Sequence, residues 1–162
     1  MSGFLAMTVN ALPMCLPLEN VARVVPLSRL RAIPDAPPWF VGFLELAGEF
    51  VPVVDLALRL SLGEPPPYRL ATPMVVVTTA SEQMALIVEE VLGVRGVAGE
   101  SVTHAGLFPP GAPPFQGMIR FPDIGPVPIL HPARLLEMDL SVLQPVAPDA
   151  MRDFLNAAGM EA

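Results

Sequence analysis

The residues that could carry out acid–base, nucleophilic or metal chemistry are few in this sequence, and they stand far apart. The chain has two histidines, His104 and His131, and a single cysteine, Cys15. Glu89 and Glu90 form the one adjacent acidic pair. Because neighbouring residues of a strand face opposite sides, this pair cannot act as acid and base on one substrate atom. The chain contains no lysine, which excludes Schiff-base chemistry and the phosphate-binding lysine of a P-loop.

Each candidate also has a structural interpretation. Cys15 lies between Met14 and Leu16 in a predicted strand, which predicts a buried, unreactive thiol. His104 lies in a stretch rich in glycine and proline, and His131 is expected at a helix cap. The two histidines have no spacing typical of metal ligands. The sequence therefore predicts a binding module without catalytic residues, cofactor or metal; an enzyme using His131 or His104 is the alternative.

Composition narrows the class of partner and the compartment. The nine basic residues, all arginine, face sixteen acidic ones, and the net charge of −7 disfavours binding to nucleic acid. The single cysteine excludes an internal disulfide and fits reducing cytoplasm. The uncharged first eighteen residues lack the basic region of a secretory signal. We also expect no membrane-spanning segment, since no apolar run is long enough.

A repeat organises the chain. The segment MCLPLENVARV (14–24) aligns with MALIVEEVLGV (84–94), and APPW (36–39) aligns with APPF (112–115). Further on, VPVVD (51–55) aligns with VPILH (127–131) in the same order. Each half therefore predicts two strands, a proline-rich loop, a hairpin and one short helix. The match also predicts that the N-terminal segment belongs to the fold.

The elements that position these residues follow from periodicity and from turn-forming residues. Apolar runs at 41–46 and 49–54 flank Ala47-Gly48, which predicts a hairpin in which Gly48 has a positive φ. Asp55 is expected to cap a helix over 56–62 that ends at Gly63. Further strands are predicted at 74–79, 83–88 and 91–97. Pro52 and Pro128 are expected at a strand edge or bulge, because proline has no N–H for the ladder.

Three segments are expected to be irregular or peripheral. The stretch EPPPYRL (64–70) is a stiff proline-rich linker between the halves, and residues 103–114 form a loop without periodicity. A C-terminal helix is predicted over 148–159, with Asp149 as its cap. Its apolar face is expected to pack on the β structure; docking on a partner is the alternative. This face comprises Met151, Phe154, Leu155 and Ala158.

The duplicated β unit and the segment IPDAPPWFVGFLELAGEFVPVVDLALRL (33–60) resemble the CheW family of chemotaxis coupling proteins. The stretch ALIVEEV (85–91) is similar to a second family signature, and Gly117 with residues 128–136 is similar to a third. The residues that match the first signature are Val21, Pro37, Gly42, Leu46, Gly48, Val51, Pro52, Asp55 and Leu56.

This resemblance implies an all-β fold of two small five-stranded SH3-like β-barrel subdomains packed together, with short capping helices. It implies a single domain over residues 1–162, with approximate halves 1–63 and 71–140 that share some strands. The implied role is a non-enzymatic, cytoplasmic adaptor recruited to receptor arrays. Such an adaptor joins the regulatory domain of a CheA-type histidine kinase to the cytoplasmic tip of a methyl-accepting chemoreceptor. The alternative role is regulation of another kinase pathway, such as one that controls pili or surface attachment.

The resemblance also implies where partners bind. The candidate partner-binding residues are Val21, Arg23, Gly42, Glu45, Ala47 and Gly48. Three of them depart from the family pattern: Ala47 replaces the usual arginine of a Leu-Arg-Gly turn, Arg23 replaces a common glutamate, and Glu45 replaces an asparagine. A specialised partner with compensating charges is one interpretation, and drift without effect on the interface is the other. Val21 could instead be core, and the two glycines could serve backbone geometry alone.

Overall fold

The computed structural model describes residues 2–80, 82–97, 102–104, 114–136, 148–157 and 159. In chain order the strands are β1 (Ser2–Val9), β2 (Leu12–Pro17), β3 (Val21–Pro26), β4 (Phe40–Leu46), β5 (Glu49–Asp55), β6 (Pro73–Thr78), β7 (Gln83–Ile87), β8 (Glu90–Val97), β9 (Val102–His104), β10 (Phe115–Phe121) and β11 (Gly125–Leu130). The helices are α1 (Leu56–Arg59), α2 (Pro132–Leu136) and α3 (Pro148–Ala157).

The strands form two sheets. Sheet 1 has the order β8-β1-β2-β11-β10-β9, and sheet 2 has the order β3-β6-β7-β5-β4. The predicted all-β fold with two SH3-like subdomains is confirmed. Strand pairing within the described residues closes neither sheet into a full barrel, and the short β9 gives sheet 1 a sixth strand.

Each sheet combines strands from both sequence repeats. Strands β1 and β2 of the first repeat pair with β8 and β11 of the second, whereas β6 and β7 of the second pair with β3 and β5 of the first. The two parallel pairings between the repeats have equivalent registers: in the β2–β11 pair Cys15 lies opposite Ile129, and in the β5–β7 pair Ala85 lies opposite Val53. Since the repeat aligns Cys15 with Ala85 and Val53 with Ile129, equivalent residues of the two repeats pair in equivalent ways in the two sheets. The two repeats have exchanged their first two strands.

One part of the sequence alignment was wrong by a single position. The N–H of Asp55 donates to the carbonyl of Trp39, and the N–H of His131 donates to that of Pro114. Trp39 therefore corresponds to Pro114 and not to Phe115, whose counterpart is Phe40. A register shift follows Phe40 in the first repeat and Phe115 in the second, so this irregularity is common to both repeats.

Among the described residues the core has three parts, one within each sheet and a larger one between the sheets. In β6, Met74 and Val76 face the interior of sheet 2, while Val75 and Val77 face the core between the sheets. A strand with two buried faces requires a continuous apolar run rather than an alternating pattern, which explains the sequence MVVV. Cys15 lies in the interior of sheet 1.

Both repeats end in a capped helical turn, as predicted. The Leu58 N–H donates to Oδ1 of Asp55 at 3.2 Å, and the Arg134 N–H donates to Nδ1 of His131 at 3.3 Å. These side chains satisfy backbone donors that a helix start leaves free. The first helix is shorter than predicted, because it ends at Arg59 and not at Leu62.

Two further predictions were wrong: the edge position of the two strand prolines, and the cap of the C-terminal helix. Pro52 and Pro128 lie in the interior strands β5 and β11 rather than at an edge, and the nearby register shifts fall opposite residues 53–54 and 129–130 rather than at the prolines. Pro52 is tolerated because pairing of β5 with β7 begins only at Val53, and because both backbone bonds of Phe43, which lies opposite, go to Arg31. Helix α3 begins at Pro148, so that Asp149 lies in its first turn and does not cap it.

Helix α3 packs on the β structure as predicted. Met151 and Leu155 are buried in the core between the sheets, and Phe154 packs against it. Ala158 lies outside the described residues, and so does the predicted loop except for Thr103, His104 and Pro114 at its ends.

Candidate partner-binding surface

The candidate partner-binding residues lie on the two edge strands of sheet 2 and on the hairpin turn next to one of them. Val21 and Arg23 belong to β3, at one edge. Gly42 and Glu45 belong to β4, at the other edge, and Ala47 lies in the turn that follows it. The structure thus brings the hairpin residues together, while three strands separate them from the β3 pair.

On β3 the two candidates differ in exposure. Val21 is half-buried and packs against the core between the sheets, so part of its role is structural. Arg23 is exposed, and so is Val24 next to it, with 43% of its surface accessible. Among the described strands β3 has one neighbour, so its other edge, together with an arginine and an exposed valine, is available to a partner.

The hairpin turn presents Ala47 and Gly48 at its tip. Their φ angles are +49° and +83°, and Leu46 lies directly opposite Glu49. Positive φ at both central residues is the signature of a type I′ turn, so Gly48 has the conformation that the sequence predicts. Ala47 adopts the same left-handed region at a steric cost that glycine and asparagine avoid. Both residues are exposed, and Ala47 has no polar group to offer a partner.

Gly42 is buried, and its surroundings give it a structural role. A Cβ at this position would lie 2.5 Å from the carbonyl oxygen of Arg31. The Arg31 backbone approaches so closely because it exchanges two hydrogen bonds of 3.0 Å with Phe43. Gly42 therefore allows the segment before β4 to cover part of the β4 edge.

Sequence reasoning missed a prominent residue on this surface, Phe50. It lies opposite Glu45 in the β4–β5 pair, and 58% of its surface is exposed. The guanidinium carbon of Arg31 lies 6.0 Å from the centre of its ring. Exposed aromatic and arginine side chains are enriched among the residues that dominate binding at protein interfaces. Strand alternation could have found it, since Val51 and Val53 point inward and Phe50 therefore points outward.

A second group of polar residues lies where the two sheets and the linker meet. Asp55 is buried, and besides capping α1 it accepts a hydrogen bond from the Tyr68 hydroxyl, which fixes the linker. Glu89 accepts hydrogen bonds from the Thr8 hydroxyl at 3.1 Å and from the Ala11 N–H at 2.9 Å. Asp55, Tyr68 and Glu89 also line a cavity of about 30 Å³. A volume of this size accommodates water but not a metabolite.

The chemistry available in these residues is limited. Burial raises the pKa of the Cys15 thiol to about 12, which keeps it protonated and unreactive at neutral pH. Burial and the hydrogen bond to Asp55 raise the pKa of Tyr68. His131 uses Nδ1 in its cap. Among the described side chains, no three histidines, cysteines or acids come close enough to hold a metal ion. Nor does any described helix have the length and apolar character needed to cross a membrane.

Comparisons with known proteins agree on one family. The model of the CheW-like domain matches residues 3–140. Among solved structures, the chain is similar to the scaffolding protein TtCheW from Thermoanaerobacter tengcongensis, with a TM-score of 0.70 and 20% sequence identity. That match covers 80% of this chain and 88% of TtCheW. A comparison with curated protein sequences gave no match.

Proposed function

Because the chain belongs to the family of CheW-like domains, we propose that it is a chemotaxis adaptor without catalytic activity. In this proposal it couples the regulatory domain of a CheA-type histidine kinase to the cytoplasmic tips of methyl-accepting chemoreceptors. The observation that carries the proposal is the family match over residues 3–140, which spans both sheets. The adaptor would be cytoplasmic and recruited to receptor arrays by these contacts.

We propose that partners contact the edges of sheet 2. The exposed candidates are Arg23 on β3 and Glu45, Ala47 and Gly48 on the hairpin, and Phe50 extends the hairpin surface. Val21 and Gly42 contribute mainly by holding the edge strands in place. This division is supported by exposure, since a buried glycine has no side chain to offer a partner.

The charges on this surface favour a specialised partner. Arg23 places a cation on β3, and no described acidic group forms an ion pair with it. A partner surface with an acidic residue would therefore gain a charge-assisted contact there, while one with a basic residue would be repelled. The short Ala47 side chain leaves room at the hairpin tip for a larger partner side chain.

The test uses pull-downs of the full chain with two separate proteins from the same organism, the kinase regulatory domain and a receptor tip fragment. We expect binding to both. If the folded protein bound neither the kinase domain nor the receptor fragment, this would contradict a coupling role. Binding instead to the homologous domain of a kinase that controls pili or attachment would reassign the pathway.

A double variant, Arg23→Glu with Ala47→Arg, tests the specialised surface. We expect it to weaken binding to the native partner and to strengthen binding to a more typical kinase or receptor. The matched control is Arg120→Glu with Ala133→Arg, which makes the same changes at exposed positions of β10 and α2. An equal effect of both pairs, or none of either, would refute a specific role for Arg23 and Ala47.

A further inference from the structure

Arg59 carries a positive charge that is partly removed from water. It is half-buried at the end of α1, and its guanidinium carbon lies 5.3 Å from the centre of the Trp39 ring. Within the described part of the chain, no carboxylate forms an ion pair with it. Burial lowers the pKa of the Arg59 guanidinium, whereas an adjacent carboxylate would raise it. The structure therefore holds this cation with no described acidic group to compensate it.

Trp39 is the platform on which this charge rests, and the indole stands there at a cost. Only 4% of Trp39 is exposed, and its Nε1 is a buried donor with no acceptor among the described groups. An unsatisfied buried donor destabilises the fold, and a phenylalanine ring would fill much of the same space without one. What the indole offers beyond phenylalanine is the aromatic face that binds a cation most strongly. The indole therefore serves to hold the guanidinium of Arg59.

Asp55 positions both members of this pair. Its N–H donates to the carbonyl of Trp39 at 2.8 Å, and its carboxylate accepts from the Leu58 N–H in the first turn of α1, directly before Arg59. The Trp39 ring also makes an edge contact with that of Phe40, with ring centres 6.2 Å apart. The guanidinium is thus held in one place before any ligand arrives, which reduces the entropy that binding would cost.

The second repeat shows that the fold does not require a charge at this place. By the matching hydrogen bonds, Pro114 and Leu135 stand where the first repeat has Trp39 and Arg59. Leu135 is buried, with 2% of its surface exposed. An apolar residue is therefore compatible with the same capped helical turn. The arginine of the first repeat serves something other than closing the core.

We propose that Arg59, held on Trp39, binds one carboxylate of a partner protein, the side chain of an aspartate or a glutamate. Guanidinium and carboxylate are both planar and form two parallel hydrogen bonds. One cation compensates one negative charge, and the net charge of −7 disfavours a more highly charged ligand such as a phosphate dianion.

The place of the pair in the chain favours a protein as the source of this carboxylate. Trp39 lies directly before β4, an edge strand of sheet 2 that we propose to contact partners. The identity of the partner, a kinase domain or a receptor tip, rests on the proposed function. The carboxylate site itself does not, because it is inferred from the charge, the platform and the comparison of the two repeats.

The test uses Trp39, the one tryptophan of the chain, as a reporter of the site. The full chain is titrated with the peptide acetyl-Ala-Glu-Ala-amide at constant ionic strength, and the fluorescence of Trp39 is followed. We expect a saturable change, and roughly tenfold weaker binding of the matched peptide with glutamine in place of glutamate. Equal binding of the two peptides would overturn the proposal. Inorganic phosphate should bind more weakly than the glutamate peptide, and tighter binding would overturn the assignment to a carboxylate.

Variants of Arg59 separate binding from a structural role. Arg59→Leu introduces the residue of the second repeat, and we expect it to bind the glutamate peptide roughly tenfold more weakly than the wild type. Its urea midpoint should be equal or higher, because an uncompensated cation is removed. Arg59→Lys keeps the charge without the planar fork and should bind with intermediate strength. The matched control is Arg120→Leu, at an exposed position of β10, which should bind as the wild type does. A lower urea midpoint with unchanged peptide binding in Arg59→Leu would overturn the proposal.

Pull-downs with Arg59→Leu identify the partner that carries the carboxylate. We expect this variant to retain less of either the kinase regulatory domain or the receptor tip fragment than the wild type does. If the wild type binds neither protein, the coupling role fails and the peptide titration still decides the carboxylate site. If the peptides fail to distinguish glutamate from glutamine, the site fails and the coupling role is unaffected.

Discussion

Replacing Gly42 with alanine tests whether this candidate residue serves the backbone or a partner. The added Cβ would lie 2.5 Å from the carbonyl oxygen of Arg31 and 3.0 Å from its carbon. Both atoms belong to the backbone, so that no side-chain rotation relieves the overlap. The segment around Arg31 must move away, and its two hydrogen bonds with Phe43 are then lost.

The cost can be worked out from these contacts. Loss of two backbone hydrogen bonds costs roughly 1–3 kcal/mol, at about 0.5–1.5 kcal/mol each. The φ of Gly42 is +150°, a conformation that costs a residue with a side chain on the order of 1–3 kcal/mol. We therefore expect Gly42→Ala to lower the free energy of unfolding by about 2–6 kcal/mol, a large share of the roughly 5–15 kcal/mol of a typical domain.

Gly48→Ala is the matched control. It also introduces a side chain at positive φ, +83°, but no atom lies within 4 Å of the added Cβ. Only the backbone strain remains, about 1–2 kcal/mol. Urea denaturation followed by circular dichroism measures both variants under the same conditions. If Gly42→Ala costs no more than Gly48→Ala, the close approach of Arg31 does not explain why glycine stands at position 42.

Four further predictions concern single side chains. Ala47→Asn should raise the free energy of unfolding by about 0.5–1 kcal/mol in thermal denaturation, because Asn-Gly suits a type I′ turn, and a loss would contradict the turn assignment. Asp55→Ala removes the cap of α1 and the acceptor of Tyr68, and should cost roughly 2–5 kcal/mol in urea denaturation, whereas Asp55→Asn, which keeps a cap, should cost less. The pKa of Tyr68 is raised in the folded state, so its contribution to stability is complete below about pH 10 and is lost as the pH rises further. The free energy of unfolding, measured from pH 9 to 11, should therefore depend less on pH in the Tyr68→Phe protein than in the wild type. An unchanged pH dependence would exclude this role. Cys15 should fail to react with a thiol reagent at pH 8 until urea unfolds the chain, and prompt reaction of the native protein would contradict its burial.

The candidate surface could be predicted only in part. The hairpin and its exposed turn follow from local sequence, since Ala47-Gly48 between two apolar runs specifies both strands and their register. The role of Gly42 could not be predicted, because the atom that excludes a Cβ belongs to a segment eleven positions earlier in the chain. Phe50 was missed although strand alternation predicts its exposure, since Val51 and Val53 point inward.

The sequence by itself determined the local elements and their repetition. Caps at Asp55 and His131 and the strand runs depend on neighbours within a few residues, and the repeat marks equivalent positions even where the residue types differ. The tertiary structure alone decided which strands pair. Apolar runs such as β2 and β7 fit either sheet by their own pattern, so their partners are selected by the combined packing of both sheets. The contact of Phe154 with Phe115 was decided in the same way, because the gap that it fills exists only once the second repeat has folded.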